Sequence, residues 1–460
     1  MILIKLFRIP FNFIADIVTV IGCGIFFGTV KSKNNSRIPD KGPIIFVANH
    51  PNMIFDPGLV RYTSSRRLHY IGKSTLFNNP IMSFVMRVLD VIPVYRSQDD
   101  PSQTHRNIDS FSECYKILEK KKCILFFPEG VSLGERVLFK IKSGASRVGL
   151  RCEEENDFNL DIKIMPVGIN YSNPSRFKSD VYVNYGHPIS VSKFKDLYRD
   201  DKNNAITALT SEIEESLSEL TANLGFIEMK NAIDYLDIIY KNELISELGL
   251  KIKNSDHQFT ASKEMIDVIE WCMENCHERV IEFEYLASRY LRNLDRLKIK
   301  DTTITNTRKR LPLHLFVYNT IRDFLLFPIY IWGVLNNLFP YLFTFAFINT
   351  RKIHQAEIAQ FKFFSGFFFF SLFYSIQGYF MFVLSKSIFI TILYVFSLIP
   401  SGNLAMSYNR GVLEFFRYFR FVNIFFKKSS LIHEIERQRD DVIDLVDAMR
   451  NSYKERKIDG

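Results

Sequence analysis

The sequence predicts an α/β domain, a sheet with flanking helices, followed by a helical subdomain and C-terminal transmembrane helices. Three observations carry this. Between Gly42 and about Ser190, short apolar runs alternate with helical stretches, the rhythm of strands joined by crossover helices. From about residue 195 to 295 the chain becomes charged, and Ile206, Leu209, Ile213, Leu217, Leu220 and Leu224 recur at helical spacing. Beyond Leu311 the composition turns apolar in stretches long enough to cross a bilayer.

Taken in order, residues 1–41 read as a membrane-associated N-terminal helix and a polar linker. The apolar run to Val30 is interrupted by Lys5, Arg8 and Asp16. An in-plane anchor and a single span both fit it, and a cleaved signal peptide is disfavoured because no small-residue cleavage site stands out. Residues 42–195 form the α/β domain. Its strand candidates are 43–48, 68–72, 91–95, 123–127, 162–169 and 181–185, with helices near 79–89, 103–119 and 144–152. Residues 196–310 are the helical subdomain with a basic linker. Residues 311–428 are the membrane part, with apolar segments at 324–348, 363–384 and 388–408. Basic residues precede the second segment (Arg351, Lys352, Lys362) and follow the third (Arg410, Arg417, Arg420), so these two read as a hairpin with both ends cytoplasmic. Asn336, Asn337 and Pro340 make the first segment read as re-entrant or interfacial. Residues 429–460 read as a charged, solvent-exposed helical tail.

The net charge of +9 calls for an anionic partner. A nucleic-acid binder would interleave basic residues with exposed aromatics on a soluble domain. Here the 44 Phe residues concentrate in membrane-length runs, which points to lipid instead. The six cysteines show no framework spacing, and a reducing compartment is the default. Cys272, Cys276 and His277 read as a plain helix face, with no metal expected.

The chemistry concentrates at predicted strand ends. Ile44 to Ala48 breaks into Asn49-His50-Pro51, and Asp56 follows with five residues between it and His50. A His with a carboxylate is the minimal general-base pair, the acid fixing the ring tautomer. Lys73 closes a second strand and Arg96 a third. Ile124 to Phe127 breaks into Pro128-Glu129-Gly130, with Ser132 just beyond, and Lys142 to Arg147 lies further on. A strand carrying Pro166, Val167 and Gly168 completes the set. An internal proline belongs at a sheet edge or near a site. Open α/β sheets bind ligands beyond the carboxyl ends of their strands, and cations there suit a phosphate.

These four blocks, in this order, resemble the phospholipid/glycerol acyltransferase superfamily (PlsC-like). They are Asn49-His50 to Asp56, Gly72-Lys73 to Arg96, Phe127-Pro128-Glu129-Gly130 and Met165-Pro166-Val167-Gly168. The stretches Lys142-Ser143-Gly144-Ala145, Pro166 to Tyr171 and Gly186-His187-Pro188-Ile189 resemble its fungal-type glycerol-3-phosphate/dihydroxyacetone-phosphate acyltransferases and their bacterial relatives. Five residues between His and Asp match that branch, where four are commoner. Asp90 stands where the family has a glycine.

The resemblance implies a glycerolipid acyltransferase fold and an integral-membrane enzyme of phospholipid biosynthesis, its catalytic domain facing the cytoplasm. His50 would deprotonate the acceptor hydroxyl as it attacks a fatty-acyl thioester, with Asp56 orienting the ring. Lys73, Arg96, Glu129, Gly130, Ser132 and Arg147 would hold the acceptor, and Pro166, Val167 and Gly168 would shape the thioester site. No cofactor is implied beyond the co-substrate, acyl-CoA or acyl-acyl-carrier-protein. The acceptor would be glycerol 3-phosphate (or dihydroxyacetone phosphate), the alternative being 1-acylglycerol 3-phosphate (lysophosphatidate), which gives phosphatidate. A decayed domain kept as a membrane scaffold would have lost His50, Asp56 or Glu129, and all three are present. Oligomeric state is not legible.

Overall fold

The computed structural model describes residues 22–24, 26–53, 55–96, 99–130, 139–174, 176–224, 227–252, 254–308, 313–351, 353, 357–427 and 429–459. The chain divides into two compact units. The first holds Met1–Ile227, Lys251–Lys263 and His354–Ala359, and the second holds Glu228–Leu250, Glu264–Ile353 and Gln360–Gly460.

The first unit is built on one mixed sheet of β1 (Val30–Lys33), β2 (Ile44–Ala48), β3 (Leu68–Lys73), β4 (Val91–Val94), β5 (Cys123–Phe126), β6 (Lys163–Tyr171), β7 (Val181–Tyr185) and β8 (Ile189–Ser190). Their order is β1-β7-β6-β2-β5-β3-β4, with β8 beside β6. Strands β6, β2, β5, β3 and β4 run parallel. Strands β7 and β8 are antiparallel to β6. All residues of β2 and β5 are buried. That is why both read as unbroken apolar runs rather than alternating ones.

Helices α1 (Phe55–Thr63), α2 (Pro80–Val88), α3 (Asn107–Glu119), α4 (Gly144–Glu155), α5 (Lys195–Asp200) and α6 (Lys202–Leu220) complete this unit. On one sheet face, Ile45 and Val47 pack with Cys114 and Leu118 of α3, Val148 of α4, and Leu209 and Ile213 of α6. On the other, Phe26 stacks on Phe55 of α1 with ring centroids 4.5 Å apart, and Phe27 leans on Tyr171 at 5.7 Å.

Three local features differ from the sequence expectation. Val30–Lys33, placed at the junction of the apolar segment and the linker, is an edge strand paired with β7. Its Lys31 and Lys33 are the kind of charge that keeps an open edge from pairing further. Pro166 lies in an interior strand. Its carbonyl accepts from the Gly186 N–H at 2.9 Å, and the two residues face the junction where β6 changes partner from β8 to β7. The proline nitrogen lies opposite Gly186, one residue past the end of β7, so what the proline forgoes is a single bond at the end of the β6–β7 ladder. Asp90, standing for the family's glycine, has φ 61°. It keeps the left-handed turn a glycine would supply, and its carboxylate takes an ion pair from Arg67 at 3.0 Å.

The second unit is helical. It includes α7 (Lys230–Ile239), α8 (Lys241–Glu247), α9 (Ser255–Asn275) from Glu264 onward, α10 (His277–Leu297), α11 (Asp301–Arg308), α12 (Leu313–Asn349), α13 (Ile358–Ser385) from Gln360 onward, α14 (Ile388–Lys427) and α15 (Ser429–Asp459). Helices α12, α13 and α14 contain stretches long and apolar enough to cross a membrane: Ile321–Asn349, Ile358–Ser385 and Ile388–Asn409. Large apolar side chains point outward from them, with Phe367 70% and Phe396 74% exposed.

The first of these segments, read from sequence as re-entrant or interfacial, is one continuous helix that holds Pro328 and Pro340 inside it. Its asparagines bind the neighbouring helices. Asn337 donates to the Gly333 and Leu398 carbonyls and accepts from Tyr374, and Asn336 accepts from Tyr394 at 2.6 Å. Polar side chains joining helices are expected where the surroundings are apolar. The charged tail is also more than a solvated helix. Helix α15 buries Ile432, Ile435, Val442, Val446 and Met449. Its buried Arg439 pairs with Asp301 at 2.8 Å and Glu243 at 3.1 Å, and Arg450 pairs with Glu247 at 2.6 Å.

Candidate active site

Because β2, β5, β3 and β4 are parallel neighbours, their carboxyl ends form a row. His50, Glu129-Gly130, Lys73 and Arg96 follow those ends in that order. Residues spread from position 50 to position 130 of the sequence thus meet along one edge, where such sheets place their ligands.

The His50 loop is held from both sides. Asn49 bridges to β6, donating to the Ile169 carbonyl at 3.0 Å and accepting from the Ile169 N–H at 2.7 Å. The His50 N–H donates to Glu129 Oε1 at 2.8 Å, and the other carboxylate oxygen accepts from the Phe139 N–H at 3.3 Å. The imidazole lies flat on Phe127, with centroids 3.9 Å apart and 15° between planes.

Asp56 enters from the first turn of α1 and lies 2.9 Å from His50 Nδ1. The longer His-to-Asp spacing therefore still closes the pair. The same carboxylate accepts from the Asn52 N–H at 2.7 Å and from the Tyr171 hydroxyl at 2.5 Å. Asp56 is fully buried, and burial pushes its pKa up; the bonds from His50, Tyr171 and Asn52 act the other way. An ionised Asp56 accepts only, so Nδ1 carries the hydrogen and Nε2 presents its lone pair. The ring is 15% exposed, and among the described residues Nε2 has no hydrogen-bond partner. A His poised this way has the geometry that general-base catalysis requires.

Burial raises the Glu129 pKa to about 7, against the pull of the two backbone N–H groups. With both oxygens engaged by the His50 and Phe139 backbone, Glu129 ties the catalytic loop to the segment after β5. Gly130 has φ 67°, and its N–H closes a turn onto the Phe127 carbonyl at 3.2 Å. Its carbonyl accepts from Arg96 at 2.6 Å, while Arg96 also grips Asp99 at 2.7 and 2.9 Å. Arg96 borders a cleft of about 390 Å³ lined also by Ser74, Asn78, Arg87, Gln103 and Arg106.

Lys73 ends β3 and makes no hydrogen bond or ion pair among the described residues. Arg147 sits on α4 and donates to Ser143 Oγ at 3.0 Å, with no tie to the His50 cluster. Ser132 lies outside the described residues. Pro166 and Val167 pair with Val47 and Ala48, directly before the His50 loop. Gly168 faces α6, where a Cβ would run into the Leu220 carbonyl.

Four participants were not singled out from sequence: Asn49, Phe127, Tyr171 and Lys142. The Lys142 ammonium comes within 2.7 Å of where a Gly130 Cβ would be. Asn49, Phe127 and Lys142 lay inside or beside recognised blocks, but their roles depend on which strands become neighbours. Tyr171 lay two residues past a strand end drawn at Ile169.

A His paired with a buried carboxylate at the carboxyl edge of an α/β sheet, beside cations, is the arrangement an acyl-transfer site requires. Residues 29–170 match the family model described as Acyltransferase. Two relatives come from Saccharomyces cerevisiae. Glycerol-3-phosphate O-acyltransferase 1 is 22% identical, covering 49% of this chain and 41% of the relative. Glycerol-3-phosphate O-acyltransferase 2 is 24% identical, covering 71% of this chain and 43% of the relative. Over a shorter stretch, the chloroplastic 1-acyl-sn-glycerol-3-phosphate acyltransferase LPAT1 of Arabidopsis thaliana is 29% identical, covering 24% of this chain and 29% of the relative. The matches to the two yeast relatives thus span less than half of their length.

Proposed function

We propose that the chain is a membrane-bound O-acyltransferase moving a fatty acyl group from an acyl thioester to glycerol 3-phosphate or dihydroxyacetone phosphate. The observation that carries this is the His50–Asp56 pair, with Nε2 outward at the sheet edge that also bears Lys73 and Arg96. His50 Nε2 takes the proton of the acceptor hydroxyl as its oxygen attacks the thioester carbonyl. The new C–O bond forms, the C–S bond breaks, and the imidazolium returns the proton to the departing thiolate. Asp56, held by Tyr171 and Asn52, keeps the tautomer and steadies the imidazolium. No covalent acyl-enzyme is needed.

Lys73 and Arg96 supply charge for the acceptor phosphate, with Arg147 further along the same unit. Pro166 and Val167 border the thioester site. The donor is acyl-CoA or acyl-acyl-carrier-protein. The two yeast relatives favour the first acylation, and the chloroplast relative keeps lysophosphatidate acylation as the second reading. The three apolar helices hold the enzyme in a membrane, and the basic residues beside α13 and α14 favour a cytoplasmic catalytic face.

The test offers glycerol 3-phosphate and lysophosphatidate in parallel to protein in nanodiscs with long-chain acyl-CoA. Turnover of glycerol 3-phosphate is the expected result. Turnover of lysophosphatidate alone moves the chain to the second step, and silence on both with CoA and carrier-protein donors overturns the reading.

A further inference from the structure

Helix α2, Pro-Ile-Met-Ser-Phe-Val-Met-Arg-Val, is apolar almost throughout, yet Val88 alone of its residues is buried. Ile81 is 78% exposed, Met82 42% and Phe84 39%. The helix is deliberately started: Asn79 accepts from the Ile81 and Met82 N–H groups at 2.9 and 3.2 Å, and Pro80 takes the first position. A well-capped helix that shows large apolar side chains to water needs something to cover them.

Charge says what covers it. From Pro57 to Leu89 the chain carries Arg61, Arg66, Arg67, Lys73 and Arg87 and no Asp or Glu at all. An apolar helix embedded in a purely cationic stretch suits an anionic bilayer surface, which offers both acyl chains and phosphates. The same chain holds three membrane-length helices, so a bilayer is a surface this unit is tethered to.

We propose that α2 is an interfacial membrane anchor, its Ile81, Met82 and Phe84 face entering the headgroup–acyl boundary of an anionic membrane. Ser83 and Arg87 of the same helix line the cleft beside Arg96, so docking α2 sets the mouth of that cleft at the lipid surface. The acyl chain of a donor or product then has a short path between bilayer and cleft.

The test uses the full chain in phosphatidylcholine/phosphatidylglycerol nanodiscs. Ile81→Cys and Phe84→Cys, each with Cys276→Ser, carry an environment-sensitive fluorophore. Shallow doxyl-labelled lipids should quench both probes roughly twofold or more, and aqueous iodide should leave them nearly unchanged. Quenching by iodide instead would place the face in water and overturn the proposal. Protection from both quenchers would show that protein covers the helix and would equally overturn it. The readout needs no acyl transfer, so its failure is separate from failure of the proposed function.

Discussion

At the scale of single residues, the site is a set of ties around one imidazole. Tyr171 is buried with its hydroxyl on Asp56, so Tyr171→Phe should act through positioning. Losing one donor to the buried carboxylate should lower kcat roughly tenfold and leave the acceptor KM nearly unchanged, because one net hydrogen bond to a charged group contributes about 1.5–3 kcal/mol. An equal rise in KM would show a binding role instead. Glu129 gives a pH prediction. Its folded pKa, about 7, lies above the ordinary value of 4.5, so the folded state binds the extra proton between those values. The stability it contributes is fully present below pH 4.5 and is lost as pH rises through about 7. Glu129→Gln cannot ionise, so its melting temperature relative to wild type should improve by several degrees between pH 5 and pH 8. A difference that is flat with pH would contradict the assignment.

At the scale of elements, Gly168 of β6 lies so close to α6 that an added Cβ would run into the Leu220 carbonyl oxygen. Gly168→Ala should destabilise the first unit by about 1–3 kcal/mol, the usual cost of overpacking, read as a lower melting temperature. Alanine tolerated without loss would show that α6 can shift away. Much of this layer was legible. The run Val181–Tyr185 was read with its observed ends, and the β2, β3, β4 and β5 candidates fell within a residue or two. Buried parallel strands announce themselves by unbroken apolar runs. Val30–Lys33 did not, since an edge strand with two lysines resembles a linker. No helix was expected over α1, whose sequence carries Pro57 and Gly58; the proline falls in the helix's first turn, where its missing N–H costs nothing. His50 and Asp56 were legible as a pair. The role of Glu129 as the tie of the His50 amide was not, because it depends on β5 lying beside β2.

At the scale of the whole molecule, the tail constrains the membrane topology. Arg439 of α15 is buried against Asp301 of α11 and Glu243 of α8, so the helices before α12 and the helix after α14 form one packed body within the second unit. A chain that leaves that body and returns to it crosses the bilayer an even number of times. An even number leaves at most two of the three membrane-length helices as complete crossings, and we predict that two cross and the third does not. The basic residues flanking α13 and α14 favour those two as the crossings. In sealed, uniformly oriented proteoliposomes, an impermeant maleimide should label Lys386→Cys, at the α13–α14 turn, only from the face opposite to Asn451→Cys. Labelling of both from one face would contradict this topology.

The central claim is that His50 is the base of a glycerolipid acyl transfer. It is tested most directly by acyl transfer from long-chain acyl-CoA to glycerol 3-phosphate in nanodiscs, wild type against His50→Ala, both first shown to be equally folded. Removal of a general base predicts a loss of at least about 10²–10⁴-fold in turnover. A His50→Ala enzyme as active as wild type would contradict the account.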